Sequence, residues 1–263
     1  MDWHRNRFNE EGKRKEMKQN IAFWNILFKD MKNYYLKPPN ISWGIIFPFA
    51  WMLMMFVKTK TAFHIEEVFS GIVAMSILFG TTSMLSVTIT FERKSRSFER
   101  LLIAPIRIEL LIIAKITGAI LFGIFNSMIP VLFSVLYFKA VVSHWMMLVI
   151  GIILLSVIST LLGLFISVSA KEVFEAQTYS NFFRFPMIFL CGLFIPVATL
   201  PVLIQPLSYI LPVTYGVDIL RYSITGNNAM SIFLDLTLLI SVSYTHLRAH
   251  ETVLDLVCRL LLE

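Results

Sequence analysis

Charge is scarce in this chain. Asp, Glu, Lys and Arg supply 15% of its 263 residues and hydrophobic side chains 57%, where soluble domains hold roughly a quarter charged residues. That balance, with a mean hydropathy of +0.73, excludes an ordinary soluble domain. Cysteine is scarcer still: Cys191 lies in an apolar run and Cys258 near the end, so neither a disulfide framework nor a cysteine metal site is expected. His4, His64 and His144 are isolated. GxSxG, HExxH and a P-loop lysine are all missing, and no general acid–base pair is visible, which argues against an enzyme and predicts no cofactor bound by this chain. The opening "MDWHRNRFNEEGKRKEMKQN" has no apolar core, so no signal peptide is expected there.

What the chain does have is long apolar runs. Ile41–Val57, Val68–Thr90, Ile112–Phe138, Trp145–Ala170 and Asn181–Val197 each hold 17 to 27 residues, enough to cross a hydrocarbon core of about 30 Å. A sixth run, Met230–Ser241, has only 12 residues. From Val242 onward, "VSYTHLRAHETVLDLVCRLLLE" resembles a translated sequencing-library transposase adapter. Residues 242–263 are therefore expected to be a non-native tail that cuts the sixth span short. The expected fold is an all-α membrane protein, with residues 1–39 as a cytoplasmic arm and interfacial helix and 40–241 as a six-span transmembrane domain.

The formal charge of +6 sits in loops rather than on one stripe, which suits membrane topology better than nucleic-acid binding. Nine Lys and Arg lie in the arm that ends at Lys37, five in Glu92–Arg107, and two and one in Lys58–Glu67 and Lys139–His144. The positive-inside rule then places the N-terminus and the Glu92–Arg107 loop in the cytoplasm, with His64, Glu66 and Glu67 outside. Upstream, Trp24, Leu27, Phe28, Met31 and Tyr35 share one helical face while Asn25, Lys29, Lys32 and Asn33 fall elsewhere. That predicts an amphipathic helix ending before Pro38 and Pro39, lying in the membrane interface or packed on a partner. Ala114 with Gly118, and Ala119 with Gly123, offer small-residue packing surfaces.

Two stretches break the apolar pattern. "FERKSRSFERLLIAPIR", Phe91–Arg107, carries seven charges. Placing six of them at mid-bilayer would cost on the order of 15–20 kcal/mol, so a loop or short cytoplasmic helix is predicted. Phe98, Leu101, Leu102 and Pro105 give it an apolar edge. "PVATLPVLIQPLSYILPVTYGVDILRYSITG", Pro196–Gly226, has prolines at 196, 201, 206 and 212, which forbid one continuous helix. Short broken helices on the non-cytoplasmic side are predicted, with Asp218 and Arg221 spaced to pair. Asp235 is the one ionisable candidate for an ion-coupled pathway.

The first stretch resembles the cytoplasmic signature of type-2 permeases of ATP-binding-cassette (ABC) exporters, in which a Glu, a Gly-Thr, Glu-Arg-Leu-Leu and a Pro recur. Glu92, Glu99, Arg100, Leu101, Leu102 and Pro105 match, with Arg96-Ser97 replacing Gly-Thr. The second is similar to the family's re-entrant segment before the last span. Pro212, Thr214, Tyr215, Asp218 and Arg221 match, with Leu211 where Asn is usual. The resemblance implies a subunit that dimerises with itself or a paralogue and exports hydrophobic or amphipathic substrates. It further implies that ATP and Mg are bound and ATP hydrolysed by a separate ATPase, which docks on the first stretch. A membrane-embedded lipid-modifying transferase and a non-transporting scaffold are the alternatives from other classes.

Overall fold

The computed structural model describes residues 17–35, 42–58, 65–103, 106–137, 139–226 and 230–245. His4, Pro38, Pro39, His64, Pro105, Cys258 and the segment 246–263 lie outside them. Every regular element among the described residues is helical. Helix α1 covers residues 17–30 and widens into a π-type turn, Met31–Tyr35. A second such turn, Ser42–Ile46, leads into α2, Phe47–Lys58. Then come α3 (Ile65–Lys94), α4 (Ser97–Ile103), α5 (Ile108–Tyr137), α6 (Trp145–Ser169) and α7 (Val173–Leu190). Two short helices, α8 (Gln205–Ile210) and α9 (Pro212–Thr225), precede α10, Ile232–Thr245.

By length and composition, three of these helices can cross a membrane: α3 from Val68, α5 and α6. Their most apolar stretches are 94%, 44% and 61% buried, respectively. Helix α3 is thus the centre of the bundle, and α5 turns a wide apolar face outward through Leu121, Phe125, Leu132 and Leu136. The main core joins Phe79 and Leu78 of α3 to Leu148, Ile152 and Leu155 of α6 and to Val213, Val217 and Leu220 of α9. Several hydroxyls buried in α3 are satisfied by nearby carbonyls: Thr81 donates to Ile77 O, and Thr90 to Ser86 O. This removes the cost of burying those polar groups in an apolar helix. Gly163 of α6 lies directly on the Thr82 backbone, and Gly123 of α5 faces Thr81 and Ser156. Ala119 is packed among Leu85, Ile116 and Leu164.

Several boundaries differ from the sequence pattern. The fifth apolar run begins eight residues earlier than expected, at Val173, and its helix stops at Leu190, because Gly192 has φ +78 and turns the chain away. Helix α3 runs past Thr90 to Lys94, carrying the first charges of the island as helix. On α1 the buried face is Ile26, Leu27 and Asp30, while Trp24 and Phe28 point outward. Leu27 and Met31 of the expected stripe thus pack inward, Met31 against Met84 and Phe122, while its aromatics Trp24 and Phe28 stay outside and Asp30 reaches a partner in α5.

The proline-rich stretch folds as predicted into short pieces: a 3-10 turn at Val197–Thr199, then α8 and α9. Pro206 and Pro212 occupy the first turns of these helices, where a missing N–H costs nothing. Helix α9 ends at Gly226 in the left-handed conformation, φ 73. It is held to the start of α6 by Ser143 Oγ–H to Ile224 O (2.9 Å), His144 N–H to Ser223 O (2.8 Å) and stacking of His144 on Tyr222. At the far end of α6, Arg93 donates to Ala170 O. The charged island and the proline-rich segment thus sit at opposite ends of α6, a helix of 25 residues and so about 37 Å long.

Candidate functional site

The island is built from the last turn of α3 outward. Arg96 turns the chain with φ 54, left-handed backbone at the position where the resembled signature has glycine. Ser95 and Ser97 hydroxyls both donate to Glu92 O at 3.2 Å, closing the turn. Helix α4 then lays Phe98, which is buried, and half-buried Leu101 into a small apolar cluster. Its other members include Ile26 and Phe23 of α1 and Leu111 and Ala114 of α5. The Phe98 and Leu101 part of the apolar edge expected of this stretch is therefore a packed seam.

Beneath that seam lies a closed ring of four charges. Lys29 Nζ stands 3.0 Å from Asp30 Oδ1 and 2.6 Å from Glu92 Oε1. Lys115 Nζ stands 2.8 Å from Asp30 Oδ2 and 2.6 Å from Glu92 Oε2. Each lysine bridges both carboxylates, and the ring is neutral. Asp30, Glu92 and Lys115 are essentially fully buried. Isolated burial of any one would cost roughly several kcal/mol, so the ring survives only as a unit. For Lys29, burial alone would lower the ammonium's pKa. The Glu92 hydrogen bond and the charges of Asp30 and Glu92 outweigh that, and the net shift is upward. Glu92 is thus inside the protein, tying α3 to α1 and α5. The lipid-insertion cost that predicts an exposed island does not apply to it, since two lysines replace the lost water.

Facing outward, Lys94, Arg96 and Arg100 are exposed. Lys94 pairs with Glu172, at the start of α7, at 3.3 Å. The side chains of Glu99 and Leu102, and all of Pro105, lie outside the described residues.

At the opposite end, the second signature also comes together. Pro212 starts α9; Thr214 Oγ1 donates to Ser208 O (2.6 Å) and Tyr215 Oη to Tyr209 O (2.5 Å), pinning α9 to α8. Asp218 and Arg221 line one small cavity with Cys191, Gly192 and Met230. The two are near each other, as expected, and each also has a hydrogen-bond partner on a neighbouring segment. Arg221 Nη2 donates to Gly192 O (2.5 Å), closing α9 on the end of α7, and Asp218 Oδ2 accepts Met230 N–H (2.9 Å). Asp235 is fully buried beside Asp218.

Three buried charges escape a periodicity reading: Asp30, Lys115 and Arg184. Arg184, in α7, donates to Ser180 O, Phe79 O and Asn181 Oδ1 and lies over the Phe79 ring. The available signal is Lys115 itself, an ammonium inside the apolar run "LLIIAKITGA". An ionisable residue in such a run implies a partner. Among the described residues no group of three or more His, Cys, Asp or Glu side chains is placed to hold a metal.

Among the described residues, an all-helical bundle with membrane-length helices, a braced charged helix at one end and a broken apolar segment at the other defines a class, polytopic helical membrane proteins. The chain belongs to the ABC-2 type transporter family, whose model matches residues 21–225. Its relatives include the Inner membrane transport permease YadH of Escherichia coli K12, 24% identical over 165 residues. The same-named proteins of Escherichia coli O157:H7 and Shigella flexneri match equally. The alignment covers 63% of this chain and 64% of the relative, so the chain spans somewhat less than two thirds of the curated proteins it matches.

Proposed function

We propose that this chain is the multi-pass permease subunit of an ATP-driven ABC exporter of the cytoplasmic membrane. In this reading it moves a hydrophobic or amphipathic substrate using a separate ATPase, dimerises through a second copy or a paralogue, and itself binds neither ATP nor Mg. The N-terminus and the Phe91–Arg107 island face the cytoplasm, and the α8–α9 segment faces outside as a re-entrant gate made by Pro212, Thr214, Tyr215, Asp218 and Arg221. The domain is of six-span type, with the sixth span cut short.

The observation that carries the reading is the island's construction. A seven-residue helix presents Arg100 to solvent while its other side is bolted to α1 and α5 through Phe98 and Leu101, and to the end of α3 through the Ser97 hydroxyl on Glu92 O. Force applied to α4 therefore reaches three membrane elements at once, which suits a coupling helix. Glu99, Arg100, Leu101, Leu102 and Pro105 are its contact and angle-setting residues, with Glu92 as its brace. The broad apolar face of α5 suits lipid or a second subunit. Co-expression with the ATPase of the same system tests this. Glu99→Lys and Arg100→Glu are expected to leave membrane insertion intact and to reduce recovery of the complex. A desolvated charge contact is worth about 2–5 kcal/mol. Unchanged ATPase recovery in both variants would reduce the island to a topology signal.

A further inference from the structure

A carboxyl group inside a protein needs donors, and Asp235 has none in view. It is fully buried near the start of α10, and among the described residues neither of its oxygens has a hydrogen-bond donor. The polar group it reaches is the carboxyl of Asp218 on α9, itself buried. Asp218 in turn accepts the Met230 N–H at 2.9 Å, so the chain just before α10 is fastened to the same carboxyl. The small cavity beside Asp218 is lined also by Arg221, Cys191, Tyr209 and Met230.

We propose that Asp218 and Asp235 share one proton, and that this proton latches α9 to α10. Two buried carboxylates in contact repel each other, whereas one proton held between them turns the repulsion into a hydrogen bond. The local charge gives the same count. Asp218 and Asp235 are two negative groups and Arg221 is the positive group in the cavity lining, so one proton neutralises the set. The other titratable groups around the pair are Tyr215 of α9, Tyr209 of α8 and Cys191 at the end of α7. A metal ion fits less well: calcium takes six to eight oxygens, and among the described residues no group of three or more His, Cys, Asp or Glu side chains is placed to hold one. At low pH the proton is present and α10 is closed on α9. As pH rises the proton leaves, the like charges separate the two helices, and the cavity beside Cys191 opens. The site goes beyond the permease reading and stands without it.

Infrared difference spectra of the lipid-reconstituted chain, taken from about pH 5 to about pH 9, test the shared proton, because an ordinary Asp is already ionised there. A protonated-carboxyl band that disappears as pH rises, and is missing from Asp235→Asn, is the expected result. The latch is read from alkylation of the buried Cys191, followed on its own peptide by mass spectrometry. Asn at 235 can donate to Asp218 as the acid does but has no proton to lose, so Asp235→Asn is expected to keep the cavity closed at every pH. Dividing the wild-type rate by the variant rate cancels the thiol's own ionisation. That ratio is expected to stay near unity at the acid end and to rise by up to about tenfold per pH unit above it. A carboxyl band that is absent from the wild type, or unchanged by Asp235→Asn, overturns the proposal, and so does a flat ratio. A labelling rate that follows added calcium at fixed pH would assign the pair to a cation and overturn it equally.

Discussion

Lys115 is the residue on which the island depends most. Replacing it with Met leaves two buried carboxylates sharing only Lys29, and a loss of about 3–5 kcal/mol is expected. Thermal stability of the detergent-solubilised protein would show it. Pairing Lys115→Met with Glu92→Met restores neutrality and should recover much of the loss; a double variant worse than the single would mean that the ring is not a unit. The pH dependence has a definite sign. Lys29 carries a raised pKa, so its contribution is complete below lysine's ordinary 10.5 and drains away only as pH rises through the higher folded value. Stability assigned to Lys29 should therefore be flat near neutrality and fall in strong alkali. Arg96 makes the opposite kind of prediction. Its left-handed backbone, φ 54, favours glycine, and Arg96→Gly should raise stability by about 0.5–1 kcal/mol despite glycine's extra chain entropy.

At the scale of elements, glycines set how closely α3 meets its neighbours. A Cβ at Gly163 would fall 2.7 Å from Thr82 O and 3.1 Å from Thr82 Cα, backbone that cannot turn aside. Gly163→Ala should therefore push α6 off α3 and cost about 1–3 kcal/mol. At Gly80 the obstruction is a side chain, the amide of Asn126, so Gly80→Ala should be rescued in part by Asn126→Ala. Absence of rescue in melting curves would place the collision elsewhere. These elements differ in how far the sequence reveals them. Runs of apolar residues mark α3, α5 and α6 because hydropathy is a local property. The prolines likewise mark the breaks around α8 and α9. The ends of α7 are not legible, since they depend on the positive φ of Gly192 and on Glu172 reaching Lys94. Nor is the place of Asp30 on the packed face of α1, which is set by its pairing with Lys115, 85 positions away.

For the whole molecule, the two signature segments lie at opposite ends of α6 and meet through α3, which touches every long helix of the bundle. Both signatures are readable as motifs, whereas the ring that braces the first comes only from the fold, because its members lie on α1, α3 and α5. In the proposed function, energy from an ATPase enters at α4 and moves the membrane helices. ATP hydrolysis by the complex of this chain with its ATPase, reconstituted in lipid vesicles, tests this most directly. Hydrolysis that responds to the presence of this chain, and loses that response in Arg100→Glu while the chain stays inserted, is the predicted result. Hydrolysis that is the same with wild-type chain, with Arg100→Glu and with no chain at all would contradict it.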